Sequence, residues 1–176
     1  MLKNRFLLLF SLLFASSVVI TSCSKDDDED NPPTPSEFVA DDNTFVSFMN
    51  WSKDATAQGA DPALGGMAHG GNDETVVREV YFKDGQAAVN GSYPVGTIIV
   101  KHSKNPEGTV DERTALVKRG NNFNSEGGDW EWFMLAPDGK IARDENGNAM
   151  RGANLMNGMC LQCHTVAKAK DYVFSK

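Results

Sequence analysis

Cysteine and histidine are both scarce in this chain of 176 residues, with three of each. Three cysteines leave no room for a disulfide scaffold, and the histidines are too few and too dispersed for a zinc site of ordinary ligand number. Beyond the first twenty residues no apolar run is long enough to span a bilayer, and no internal repeat is evident. Basic charge is also short, with 17 Lys and Arg against 24 Asp and Glu. A net charge of −7 argues against a nucleic-acid partner, because the phosphate backbone is held by clustered cations. The acidity favours solubility and a basic redox partner.

What is present is concentrated near the C-terminus. Cys160-Leu161-Gln162-Cys163-His164 is a C-x-x-C-H pentapeptide. Two thiols at this spacing can form thioethers to the two vinyl groups of one haem, and the adjoining histidine can ligate its iron. A thioredoxin-like C-x-x-C would follow a strand and open a helix of a βαβ unit, which the glycine-rich surroundings do not suggest. The pentapeptide therefore predicts one covalently held haem c, with Cys160 and Cys163 as attachment points and His164 as the metal ligand. An ordinary electron-transfer cytochrome c carries this motif near its N-terminus and takes a methionine from far downstream. Here the few residues after His164 include no methionine, which favours an open sixth position on the iron over a sealed His/Met site.

The N-terminus predicts the compartment. Residues 1–22 read as a signal peptide, with Lys3 and Arg5 as the positive region and Phe6 to Phe14 as the apolar region; the other reading is an uncleaved membrane anchor, against which the apolar run is short and polar residues follow at once. Ile20-Thr21-Ser22-Cys23 resembles a bacterial lipobox, so Cys23 is the expected lipidation site and the membrane is reached through a lipid anchor. One cysteine for lipid and two for haem account for all three. Cleavage would remove Lys3 and Arg5, leaving 15 basic against 24 acidic residues and a net charge of −9. Residues 23–35, acidic and then proline-rich, have almost nothing apolar to bury and read as a disordered tether. The Cys-Ser-Lys-Asp-Asp run is either a plain spacer or, by resemblance, an export signal to the outer face of the outer membrane. Both readings place the protein outside the cytoplasm.

Residues 36–176 form one expected domain. Phe45, Phe48, Met49 and Ser52 recur at helical spacing behind the capping residues Asp42-Asn43-Thr44, predicting an amphipathic helix with Trp51 beside its core stripe. A glycine-rich loop over 59–73 carries His69. Runs at Thr75–Phe82, Gly96–His102, Thr114–Lys118 and Trp130–Leu135 are β-branched or aromatic and are separated by Asp84-Gly85, Asn90-Gly91, Gly108, Gly120 and Gly127-Gly128. Without intervening helices they predict an antiparallel meander. The tail from Arg151 to Ala169 should hold the haem motif on a short helix. The fold class is thus α+β, a mainly antiparallel sheet with a helix at each end.

Arg78-Glu79-Val80-Tyr81, Tyr93-Pro94-Val95-Gly96-Thr97-Ile98-Ile99-Val100-Lys101, Val117-Lys118-Arg119-Gly120, Gly128-Asp129-Trp130-Glu131-Trp132, Cys160 to His164 and Asp171-Tyr172-Val173-Phe174 occur in an order that resembles the cytochrome P-460 family. The resemblance implies a homodimeric β domain that oxidises hydroxylamine at a c-type haem and passes electrons to a redox carrier. It also implies the alternative of the related cytochromes c′-beta, which bind nitric oxide or carbon monoxide without turnover. A surface electron-transfer cytochrome is a third reading. By position, Lys101 matches the lysine that some members join covalently to the porphyrin; its other reading is a solvated lysine at a strand end. Arg78 matches a distal arginine, against a salt bridge to Glu79 or a neighbouring strand. Both are candidate catalytic residues. His102 stands where a glutamate often follows the lysine. Strand alternation puts Thr97, Ile99 and Lys101 on one face and His102 on the other, so His102 is not expected to ligate the iron. Asp144, Glu145 and Glu131 are candidate distal acids, with none assigned.

Overall fold

The computed structural model describes residues 36–59 and 74–174. The segments expected as signal peptide and tether, with Cys23, and the loop carrying His69 lie outside the described residues. Six strands form one sheet in sequential order, each antiparallel to its neighbours: β1 Ser52–Gln58, β2 Val77–Phe82, β3 Ile98–Lys104, β4 Asp111–Lys118, β5 Trp130–Leu135 and β6 Arg151–Gly152. A six-residue helix, α1, spans Met159–His164 and continues as a 3-10 turn over Thr165–Lys170. The class is α+β, with the expected meander.

Both faces of the sheet are covered, which is why β4 and β5 read as nearly continuous buried runs instead of alternating. On one face, Tyr81, Val100, Ala115 and Phe133 stand in register and pack with Ile98, Val117 and Leu135 against Phe38, Ala40, Phe45 and Phe48. This is the N-terminal face. On the other, Phe82, Ile99, Leu116 and Trp132 form a row that packs with Trp130 against Tyr172, Val173, Leu155, Cys160 and Leu161. This C-terminal face is the one that carries the attachment segment.

The expected N-terminal helix is not formed. Phe45 and Phe48 are buried as the spacing requires, but the backbone makes successive turns and a single 3-10 turn at Phe48–Asn50. Two aromatic anchors three apart are served as well by a 3-10 turn as by an α-helix. The chain then leaves at Trp51 to enter β1, so no second helical turn can form. Met49, expected in the stripe, is exposed, and Trp51 is half-buried against the core.

Candidate functional site

Cys160 and Cys163 lie on α1 at i and i+3, which places both thiols on one side of a short helix. Both are free cysteines of intermediate exposure. Burial pushes the Cys160 thiol up, with the nearby charges of Cys163 and Glu112 adding to it. His164 closes the helix. Its Nδ1 lies 2.7 Å from the backbone oxygen of Tyr172. That oxygen can only accept, so Nδ1 donates to it and Nε2 is the nitrogen that would ligate a metal. The ring is held by Trp132 at 4.7 Å and Phe174 at 5.2 Å between centroids. An imidazole fixed at one nitrogen and packed by aromatics is a ligand prepared in orientation.

The acceptor is itself fixed. Asp171 and Tyr172 are both left-handed, at φ 52° and 64°. The Asp171 carboxylate takes hydrogen bonds from Lys118 Nζ at 2.7 and 2.8 Å, Tyr93 N at 2.7 Å and Ser92 Oγ at 3.1 Å. Trp130 Nε1 donates to the Asp171 carbonyl at 2.7 Å, and Tyr172 Oη donates to the Glu126 carbonyl at 2.7 Å. Gly128 supplies the space: a Cβ there would come within 2.9 Å of Asp171 Oδ1 and of the Tyr172 ring.

Lys101 sits on the C-terminal face, opposite Val80 on β2 and Thr114 on β4. Val80, Cys160 and Leu161 all pack against the same apolar cluster, so Lys101 and the C-x-x-C-H helix belong to the same side of the sheet. His102 is on the other side, buried, with Nε2 2.7 Å from Asp111 Oδ1 and its ring edge-on to Phe48. It holds the Asp111 carboxyl below the usual carboxylate range and is remote from the attachment face.

Arg78 shares the Lys101 face, opposite Ser103, and is 5% exposed. Its guanidinium donates to the Gly59 carbonyl. It is not paired with Glu79, which lies on the N-terminal face and is taken by Lys53, by Lys104 at 3.1 Å and by Tyr81 Oη at 2.9 Å.

Two of the acids considered from sequence are engaged elsewhere. Glu131 does share a strand face with Phe133 and Leu135, but that is the N-terminal face. There it is 2% exposed and bound by Arg151 at 2.7 and 2.8 Å and Arg119 at 3.3 Å. Asp144 caps its own exposed turn, accepting from the backbone of Asn146 and Asn148. The acid that does face the attachment side is Glu112, in register with Ser103 and Arg78. Sequence reading missed it because β4 begins at Asp111, three residues earlier than its apolar run suggests. Trp132, Lys118 and Asp171 stood in the ordered motifs of the resemblance, without any hint of what they touch.

The site fits a haem. It offers paired thiols, an imidazole with a metal-ready nitrogen, and an aromatic and aliphatic wall. Among the described residues five buried polar atoms lack a partner, and two of them, Trp132 Nε1 and Ser103 Oγ, are on this face. Buried donors of this kind are rare unless something else satisfies them, and a porphyrin with its propionates or an iron-bound ligand can do so. The sequence model for Cytochrome P460 matches residues 48–175. The chain belongs to the cytochrome P460 family. It is accordingly a haem-binding cytochrome, and the matched span takes in the whole sheet beyond the first turns and the entire attachment segment. No curated protein sequence matches the chain.

Proposed function

We propose that this P460 protein is a mono-haem c-type cytochrome that oxidises hydroxylamine or a related small nitrogen species. Cys160 and Cys163 would hold the haem through thioethers and His164 would ligate its iron. When bound, the haem supplies a metal that takes up a small nitrogen ligand and passes its electrons on. The observation that carries the reading is Lys101, on the sheet face that the attachment helix covers and within the family span. From that face its amine would bond the porphyrin edge, the chemistry that distinguishes turnover from gas binding among the proteins it resembles.

The remaining groups on that face divide the work. Arg78, buried and cationic, would orient a polar ligand by hydrogen bonds and stabilise negative charge that develops on its oxygen. Protons must leave with the electrons, and Glu112 is the carboxylate on this face that would receive them. The row Phe82, Ile99, Leu116 and Trp132 excludes water. That same apolar wall favours a second reading, a c′-beta-like binder of nitric oxide or carbon monoxide. Anchoring through lipid on Cys23, exposure outside the cytoplasm, a homodimer and a separate redox carrier complete the proposal.

A tryptic digest of mature holoprotein tests it. The Lys101 peptide and the Cys160–Cys163 peptide should be recovered joined through one haem. Lys101→Ala should give an ordinary c-haem spectrum, retain nitric oxide binding and lose hydroxylamine oxidation with an artificial acceptor. A wild type with no cross-link and no turnover that still binds nitric oxide would transfer the assignment to the gas binder.

A further inference from the structure

The Lys118–Asp171 ion pair is nine-tenths buried on both sides, with side-chain exposures of 10% and 9%. Stability alone does not account for such a pair. Desolvating two charges offsets most of their attraction, and well-packed apolar residues commonly serve as well. Nor is the backbone it holds a relaxed one. Two successive non-glycine residues in the left-handed region are unfavourable, and they persist only where the surroundings over-determine them. The surroundings here are Lys118, Tyr93 N, Ser92 Oγ and Trp130 Nε1, four donors converging on one residue from three separate segments. What this costly arrangement delivers is one atom in one place, the Tyr172 carbonyl oxygen against His164 Nδ1.

We propose that Lys118 and Asp171 are positioning residues for the proximal histidine, and that the buried pair sets the strength of the His164–Tyr172 hydrogen bond. The proposal rests on His164 being the iron ligand. A short, well-aligned Nδ1–H···O=C bond shifts electron density onto Nε2 and strengthens its bond to iron. With the pair intact the turn cannot relax, so the acceptor stays fixed and the ferric state is favoured. With the pair broken, the left-handed turn has a route to unwind and the bond lengthens. The haem potential is thereby governed from Lys118, a residue that need not touch the haem at all.

The test compares holoproteins carrying Asp171→Asn, Lys118→Met and Lys118→Arg with wild type. Resonance Raman of the ferrous form reads the iron–histidine stretching frequency, and a spectroelectrochemical titration reads the potential. Asp171→Asn and Lys118→Met should lower the frequency and raise the potential, while Lys118→Arg, which keeps the cation, should return both toward wild type. If neither buried variant matures, Ser92→Ala removes one exposed donor to the same carboxylate and should move both readouts in the same direction by less. Glu131→Gln, a buried ion-pair loss on the opposite face, should lower stability and leave both readouts where they were. Variants of Lys118 and Asp171 that lose stability yet keep the wild-type frequency and potential would reduce the pair to a structural role. The wild-type pyridine haemochrome spectrum separately tests whether the two cysteines hold a haem, and loss of the iron–histidine band in His164→Ala tests whether His164 ligates it, so failure of that premise is distinguishable from failure of the proposal.

Discussion

Gly128→Ala should damage this protein far more than its position in a surface turn suggests, and the structure says by how much. Gly128 has φ +62° and closes the turn over Ser125–Gly127. An L-residue held left-handed costs about 1–2 kcal/mol. The added Cβ would also lie 2.9 Å from Asp171 Oδ1 and from the Cδ2 and Cε2 atoms of Tyr172, closer than real Cβ contacts allow. Those neighbours cannot swing aside, because Asp171 is locked by Lys118 and the Tyr172 hydroxyl by the Glu126 carbonyl. Overpacking of this kind adds about 1–3 kcal/mol, for a total of about 2–5 kcal/mol, a large part of a domain's usual margin. Gly147→Ala is the matched control. Gly147 has φ +82° with nothing within 4 Å of the Cβ position, so it should show the backbone penalty alone. Urea titrations of the two holoproteins, compared at equal m-value, give the difference directly. Equal losses in both variants would refute the claim that the Asp171–Tyr172 tail is rigidly seated on Gly128.

Two further predictions concern charge and targeting. The Lys53 ammonium, supported by Lys104 and the Tyr81 hydroxyl, holds the Glu79 carboxyl at about 2, against an ordinary 4.5. A carboxyl depressed on folding contributes stability that is complete above the unfolded value and is lost as pH falls through the folded one. Wild type should therefore lose about 1 kcal/mol more than Glu79→Gln between pH 5 and pH 2 in denaturant titrations, the half-exposed lysines being screened by solvent. Equal slopes for the two proteins would count against the ion pairs. At the other end of the chain, fatty-acid labelling in cells should depend on Cys23 and vanish in Cys23→Ala, and labelling that survived would remove the lipid anchor from the proposal.

The strands β2 to β5 were legible because β-branched and aromatic runs are punctuated by Asp-Gly, Asn-Gly and lone glycines, signals that are local in sequence. β1 was not. Ser52–Gln58 is polar and almost wholly exposed, an edge strand whose Lys53 and Asp54 give no alternation. It becomes a strand because β2 presents an open edge, and charged residues on such an edge also discourage pairing with other chains. Cys160, Cys163 and His164 stood out in the sequence because few other sites need that order of residues. Lys101's face followed from alternation, but alternation does not say which face a distant helix will cover. That is why Glu131 remained a candidate acid and Glu112 was passed over. Lys118 and Asp171 meet across 53 positions of sequence, and no local pattern marks such a pair.

The same alternation explains where this chain departs from the proteins it resembles. On β3, Lys101 and His102 are adjacent in sequence and answer to opposite sides of the sheet. His102 stands directly between Glu79 on β2 and Arg113 on β4, in a buried row on the N-terminal face. A glutamate at position 102 would stand between the Glu79 carboxylate and the Arg113 guanidinium, so its repulsion from the one would be offset by its attraction to the other. Histidine donates its Nε2–H to Asp111 and offers a ring edge to Phe48. His102 thus answers to the packing of the far face. Lys101 points to the other side of the sheet, so the identity of residue 102 is no argument against chemistry at the haem.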